Sequence, residues 1–134
     1  MLKKTITYTD YDGNPRTEEH FFNLNKSELT MLEMSEQGGF EKRMRRIIQA
    51  QDAPAIMDTF RDIIKRSYGQ KSPDGRRFIK SEALVEEFEQ TEAYSELFME
   101  LCTDANAASD FIKGIMPQDI VAMAEKSERD KLPE

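Results

Sequence analysis

A chain of 134 residues with 38% apolar and 34% charged side chains is long enough for one domain with a real core, and polar enough that much of its surface must be solvated. A net charge of −7 argues against non-specific nucleic-acid binding, and no apolar run approaches the roughly 20 residues needed to span a bilayer. The single cysteine, Cys102, excludes an internal disulfide, and the opening MLKKTITYTD lacks the apolar centre of a signal peptide, so a reducing, intracellular setting is expected.

Ile6 and Tyr8 alternate with Thr5, Thr7 and Thr9, the β-branched pattern of a half-buried strand. Asp10 to Pro15 supplies a turn in which Asp12-Gly13 can reach positive φ. Thr17 to Leu24 returns with Phe22 and Leu24 on one face and Phe21 on the other. Residues 3–24 therefore read as a β-hairpin, marginal alone, that must lie on the helices or on another chain; its Thr-rich edge also suits pairing between subunits. Asn25 followed by Glu28 has the form of a capping box for a first helix, with Leu29, Met31 and Leu32 on its apolar side and Gly38-Gly39 ending it. Phe40, Met44, Ile47 and Ile48 fall on one stripe of a second helix running to about Gln51. Asp52 and Pro54 open a third, whose stripe is Ile56, Met57, Phe60, Ile63 and Ile64 and which ends at Tyr68-Gly69.

Gln70 to Lys80 reads as a polar loop with Pro73-Asp74-Gly75 at its tip. Ser81 caps a helix carrying Leu84, Val85 and Phe88, and Thr91 caps another carrying Tyr94, Leu97, Phe98 and Leu101. Asp104 starts a further helix with Ala108, Phe111, Ile112 and Ile115 inward. Pro117 opens a last one, PQDIVAMAEK, and residues 126–134 are expected to fray. The expected fold is mainly α: a single compact domain over 1–134, with about six or seven short helices in a body over 25–125 and an N-terminal β-hairpin.

Residues that carry chemistry are sparse. His20 is the only histidine, and its spacing from Cys102 makes no metal-ligand motif, so no metal is expected. The same two residues form the only Cys-His pair open to nucleophilic catalysis, yet Cys102 falls beside an apolar stripe, where a small buried hydrophobe is the simpler role. There is no glycine-rich phosphate loop, and Glu86, Glu87 and Glu89 lie around a helix surface rather than across a cleft. Neither an enzyme nor a cofactor is expected.

Charge is unevenly spread: residues 1–40 carry a net −3, residues 41–80 a net +6 and residues 81–134 a net −10. This asymmetry suits a local basic patch or head-to-tail attraction between copies. Arg43, Arg45, Arg46, Arg61, Lys65, Arg66, Arg76 and Arg77 could engage phosphates. Those on the second and third helices are equally the residues left over once the apolar stripes are assigned, and no aromatic lies amid the charges beyond Phe78, which favours a solvated or subunit-contacting face. The chain has 8 methionines, whose flexible thioethers adapt to irregular apolar partners. Met44 and Met57 fall on stripes and are expected in the core; Met34 and Met99 fall off or at the edge of theirs and are expected outside.

Over residues 67–101, SYGQKSPDGRRFIKSEALVEEFEQTEAYSELFMEL, a Tyr-Gly helix end is followed by an SPDGRRFIKS connector, an EEF segment and a TEAYSELFMEL helix. This order resembles the tail assembly chaperones of long non-contractile-tailed (siphovirus-type) phages and prophages, with a looser likeness outward to about Pro117. The resemblance implies a non-catalytic protein of the bacterial host cytoplasm, not expected in the mature virion and without a membrane partner. It would coat the helical tape measure protein and keep it soluble while tail tube subunits assemble. A longer form made by ribosomal frameshifting would recruit the tail tube protein, and a homo-oligomer fits the same picture. The partner-binding residues expected from exposure and charge are Met34, Arg43, Arg46, Arg76, Arg77, Phe78 and Met99. The family supplies no catalytic residue and no cofactor to carry over. The alternative is a small nucleic-acid-associated or regulatory adaptor using the basic patch on residues 42–77.

Overall fold

The threonine-rich alternation at the amino terminus forms β1 (Leu2–Thr9), with Ile6 and Tyr8 buried and Thr5, Thr7 and Thr9 exposed. The computed structural model describes residues 1–35 and 39–117. β1 pairs antiparallel with β2 (Pro15–Phe22) without a break, from Leu2 opposite Phe22 to Thr9 opposite Pro15. Asp10 organises the turn between them: its Oδ1 accepts from the N–H groups of Asp12 at 3.0 Å and Asn14 at 2.9 Å. Its Oδ2 takes the Arg16 guanidinium at 2.6 Å, which holds the carboxyl below the usual carboxylate range. Gly13 supplies the positive φ of 84°.

Six helices follow among the described residues: α1 (Lys26–Ser35), α2 (Phe40–Ala50), α3 (Ala53–Ser67), α4 (Glu82–Glu89), α5 (Glu92–Thr103) and α6 (Ala105–Ile115). Their starts are set by side chains. Asn25 Oδ1 accepts from the Glu28 N–H at 2.8 Å while Glu28 Oε1 accepts from the Asn25 N–H at 3.0 Å, the reciprocal capping box. Asp52, Ser81, Thr91 and Asp104 cap α3, α4, α5 and α6 from one side only, each side chain accepting from N–H groups of the first turn. The Ile48 side chain, Gly38, the helix expected from Pro117 and the expected frayed end lie outside the described residues.

The polar loop expected over Gln70–Lys80 is a second hairpin instead. β3 (Tyr68–Lys71) pairs with β2 on one side and with β4 (Phe78–Ile79) on the other, giving one antiparallel sheet in the order β1-β2-β3-β4. Strands of four and two residues are too short to show an alternating pattern, so only their turn was visible in the sequence. Gly69 makes the pairing possible, because a Cβ there would stand 2.6 Å from Phe78 Cε2 and 2.7 Å from the Ile79 carbonyl oxygen.

Phe22, fully buried on β2, is the centre of the core. Its ring lies 5.2 Å from Phe111 of α6, 5.7 Å from Tyr68 of β3 and 6.0 Å from Phe88 of α4. Tyr68 stacks on Phe88 at 4.4 Å. Each buried aromatic of this kind contributes about 1.5–3 kcal/mol by area alone, and a ring pair roughly 0.5–1.5 more. Leu97 and Leu101 of α5 and Ile63 and Ile64 of α3 complete the interior. The amino-terminal hairpin lies on its own helices, β1 packing against α5 and α6. Two of the expected core methionines are outside: Met31 is 72% exposed and Met57 42% exposed, while Met44 is buried. Met31 sits 100° around the helix from Leu32, off the Leu29–Leu32 line, and Met57 lies at the outer margin of the α3 stripe.

Lys80 joins three junctions of the chain. Its ammonium donates to the Asn23 carbonyl after β2 at 2.7 Å, to the Arg66 carbonyl in the last turn of α3 at 2.7 Å, and to Glu28 Oε2 of α1 at 2.6 Å.

The close approach at Gly69 gives a direct check. Gly69→Ala should destabilise the fold by about 1–3 kcal/mol, because the new methyl meets backbone as well as a ring. Gly114→Ala should cost less, since its methyl meets only the flexible end of Leu2. Chemical denaturation of the two variants measures the difference.

Candidate partner-binding surface

The exposed apolar side chains are thioethers for the most part. Met31 and Met34 project from α1, at 72% and 82% exposure, Met57 from α3 and Met99 from α5. The two expected outside, Met34 and Met99, are outside, and two more that the stripes seemed to claim join them. The signal for Met31 was available in its helical angle; that for Met57 was not, because an edge position is covered or bare according to what packs beside it.

The basic candidates divide between two places. Arg43 and Arg46 lie on α2, whose main neighbours are α1 and α3. Arg46 is exposed; Arg43 is half-buried and engaged within the fold. Arg76 and Arg77 lie exposed at the tip of the β3–β4 hairpin, which packs on β2 and α4. Phe78 is half-buried, its ring over Gly69 and 5.8 Å from the Lys80 ammonium, so it supports the hairpin from within.

A groove of about 280 Å³ runs between β1 and the junction of α5 with α6, floored by Leu2 and Phe111 and flanked by Lys4, Glu100, Asp104 and Asp110. Lys4 donates to Glu100 Oε1 at 2.8 Å across it, and Asp104 is occupied in capping α6. Its size is below that of ordinary small-molecule pockets, about 300 Å³ and upward. Among the described residues no group of three His, Cys, Asp or Glu side chains is placed to hold a metal ion, and no helix is long and apolar enough to cross a membrane.

The one histidine stands in a small network on the inner side of the first hairpin. Tyr8 donates its hydroxyl to Glu18 Oε1 at 2.5 Å, and His20 Nε2 lies 3.6 Å from the same oxygen, too far for a hydrogen bond. His20 packs at 4.9 Å against the Phe88 ring, and its Nε2 is buried with no hydrogen-bond partner among the described residues. Burial pulls the imidazole pKa below its ordinary value, the Glu18 carboxylate opposing. Cys102 is half-buried against the core, and burial pushes its thiol up, away from thiolate reactivity.

A family model described as phage tail assembly chaperone matches residues 1–134. No curated protein and no solved structure matches the chain.

His20 also sets a pH dependence with a definite sign. Its folded pKa is lowered relative to an unfolded histidine, so protonation favours the unfolded chain. The stabilisation from neutral His20 is complete above the unfolded pKa of about 6.5 and is lost as pH falls below it. Denaturation between pH 7.5 and 5.5 should show stability falling with pH, and His20→Phe should flatten that slope.

Proposed function

The chain belongs to the phage tail assembly chaperone family, and from that premise we propose that it binds and solubilises the helical tape measure protein and helps bring tail tube subunits to it during tail morphogenesis. The observation that carries this reading is the set of methionines left outside a core that is otherwise closed: Met31, Met34, Met57 and Met99. Before assembly a long helical protein exposes apolar faces of varied shape. Unbranched, polarisable side chains on several helices suit such a target better than one rigid pocket would. Many weakly bound copies along one partner reach high occupancy through avidity, while each remains displaceable when tube subunits arrive.

In this reading the protein is non-catalytic and works in the host cytoplasm before the virion is complete. A frameshifted longer form carries the contact to the tail tube protein. The nucleic-acid adaptor reading has less behind it, since Arg43 is engaged within the fold and α2 and the β3–β4 hairpin pack on different neighbours.

Co-expression with the tape measure protein of the same genome tests the proposal. The wild-type chain should render that protein soluble and copurify with it in several copies. Replacing Met31, Met34, Met57 and Met99 together by serine should cut recovery at least ~10-fold, with little effect on folding because all four are exposed. A tape measure protein that stays insoluble beside the wild-type chain, or is rescued equally by the serine variant, would overturn it.

A further inference from the structure

The fold sorts its methionine sulfurs by access. Met44 is buried, whereas Met34 and Met31, at 82% and 72%, are the most exposed methionines among the described residues. Residues three apart on a helix are neighbours, with Cβ atoms about 5–6 Å apart, so these two thioethers share one patch of α1. The anchors of α1 lie elsewhere. Its start is the Asn25–Glu28 capping box, its inner side is Leu29 and Leu32, and Glu28 ties it to Lys80 at 2.6 Å. Leucine at the two outer positions would offer similar apolar area but no sulfur chemistry. The chain's cysteine is less open to oxidation: Cys102 is half-buried, and burial raises its pKa, which keeps it a thiol rather than a reactive thiolate.

We propose that Met31 and Met34 form a reversible oxidation site, at which a peroxide converts the two thioethers to sulfoxides and switches the partner-binding face off without unfolding the chain. In each step the sulfur lone pair attacks one peroxide oxygen, an S–O bond forms and the O–O bond breaks. The proton on the transferred oxygen passes to the departing hydroxide and gives water; sulfur loses two electrons and the peroxide gains them. A polar, chiral side chain then stands where a flexible apolar one stood. Its oxygen is a hydrogen-bond acceptor that an apolar helix face cannot satisfy, so a contact that favoured binding now opposes it. α1 keeps its place, because Leu29, Leu32 and Glu28 are unchanged. Methionine sulfoxide reductases, one for each sulfoxide epimer, return the thioether with electrons from thiols, so the site can be reset. This inference rests on the proposed function and adds regulation to the same methionine surface.

Graded hydrogen peroxide treatment of the intact chain tests it, followed by peptide mass mapping and capture on resin-bound tape measure protein of the same genome. Met31 and Met34 should gain oxygen at least ~10-fold faster than buried Met44, with circular dichroism unchanged. When a half-oxidised pool is offered to the resin, the captured chains should be depleted at least ~10-fold in sulfoxide at Met31 and Met34 relative to those left behind. Both reductases with dithiothreitol should restore capture. Equal sulfoxide content in captured and uncaptured chains would overturn the proposal, as would depletion that follows oxidised Cys102 instead. So would unfolding on oxidation of Met31 and Met34, or capture that stays lost after the reductases have removed both sulfoxides. Untreated chain that captures nothing is a separate result: it overturns the binding reading itself, before any peroxide is added.

Discussion

An ammonium group has three N–H donors, and in Lys80 all three are taken, by two backbone carbonyls and one carboxylate. The partners come from the points where β2 passes to α1, where α3 passes to β3, and from the first turn of α1, while Lys80 itself stands between β4 and α4. The Arg66 carbonyl lies in the last turn of α3, where carbonyls lose their intrahelical partners, so a cation there completes the helix and meets the negative end of its dipole. Glu28 links this clasp to the capping box of α1, one oxygen serving Asn25 and the other Lys80. Charge-assisted bonds of this kind contribute about 1.5–3 kcal/mol each when sheltered from water. Here they fix how the sheet meets three helices, and the placement of the outward-facing side chains follows from that.

Much of this was legible residue by residue. The five helix starts at Asn25, Asp52, Ser81, Thr91 and Asp104 could be read because a cap is a local device, needing only a short polar side chain and the next turn of backbone. The stripes of α5 and α6 were legible for the same reason. The β3–β4 hairpin was not, because its evidence is tertiary: Gly69 is required by a ring and a carbonyl that come from nine and ten residues further along. Lys80 was invisible as a clasp, since its three partners lie 14 to 57 residues away in sequence. The exposure of Met57 depends likewise on what does not cover it.

The division of labour in the molecule follows from these constraints. The aromatic cluster around Phe22 and the leucines of α5 close the interior, and Lys4 to Glu100 ties the edge strand to α5. Outside lie the thioethers of Met31, Met34, Met57 and Met99 on helices and the exposed guanidinium groups of Arg76 and Arg77 on the β3–β4 hairpin. Neither provides a nucleophile, a general base or a metal ligand set. The chain belongs to the tail assembly chaperones, and under the proposed function the reversible character of thioether contacts suits a partner that is later displaced.

The central claim, that these methionines hold the helical partner, is tested most directly by the methyl resonances of the methionines in a chain labelled at those positions, with and without the tape measure protein. The account predicts that Met31, Met34, Met57 and Met99 shift or broaden on binding while buried Met44 stays where it is. Unchanged exposed methionines in a complex that demonstrably forms, or changes centred on Met44, would contradict it.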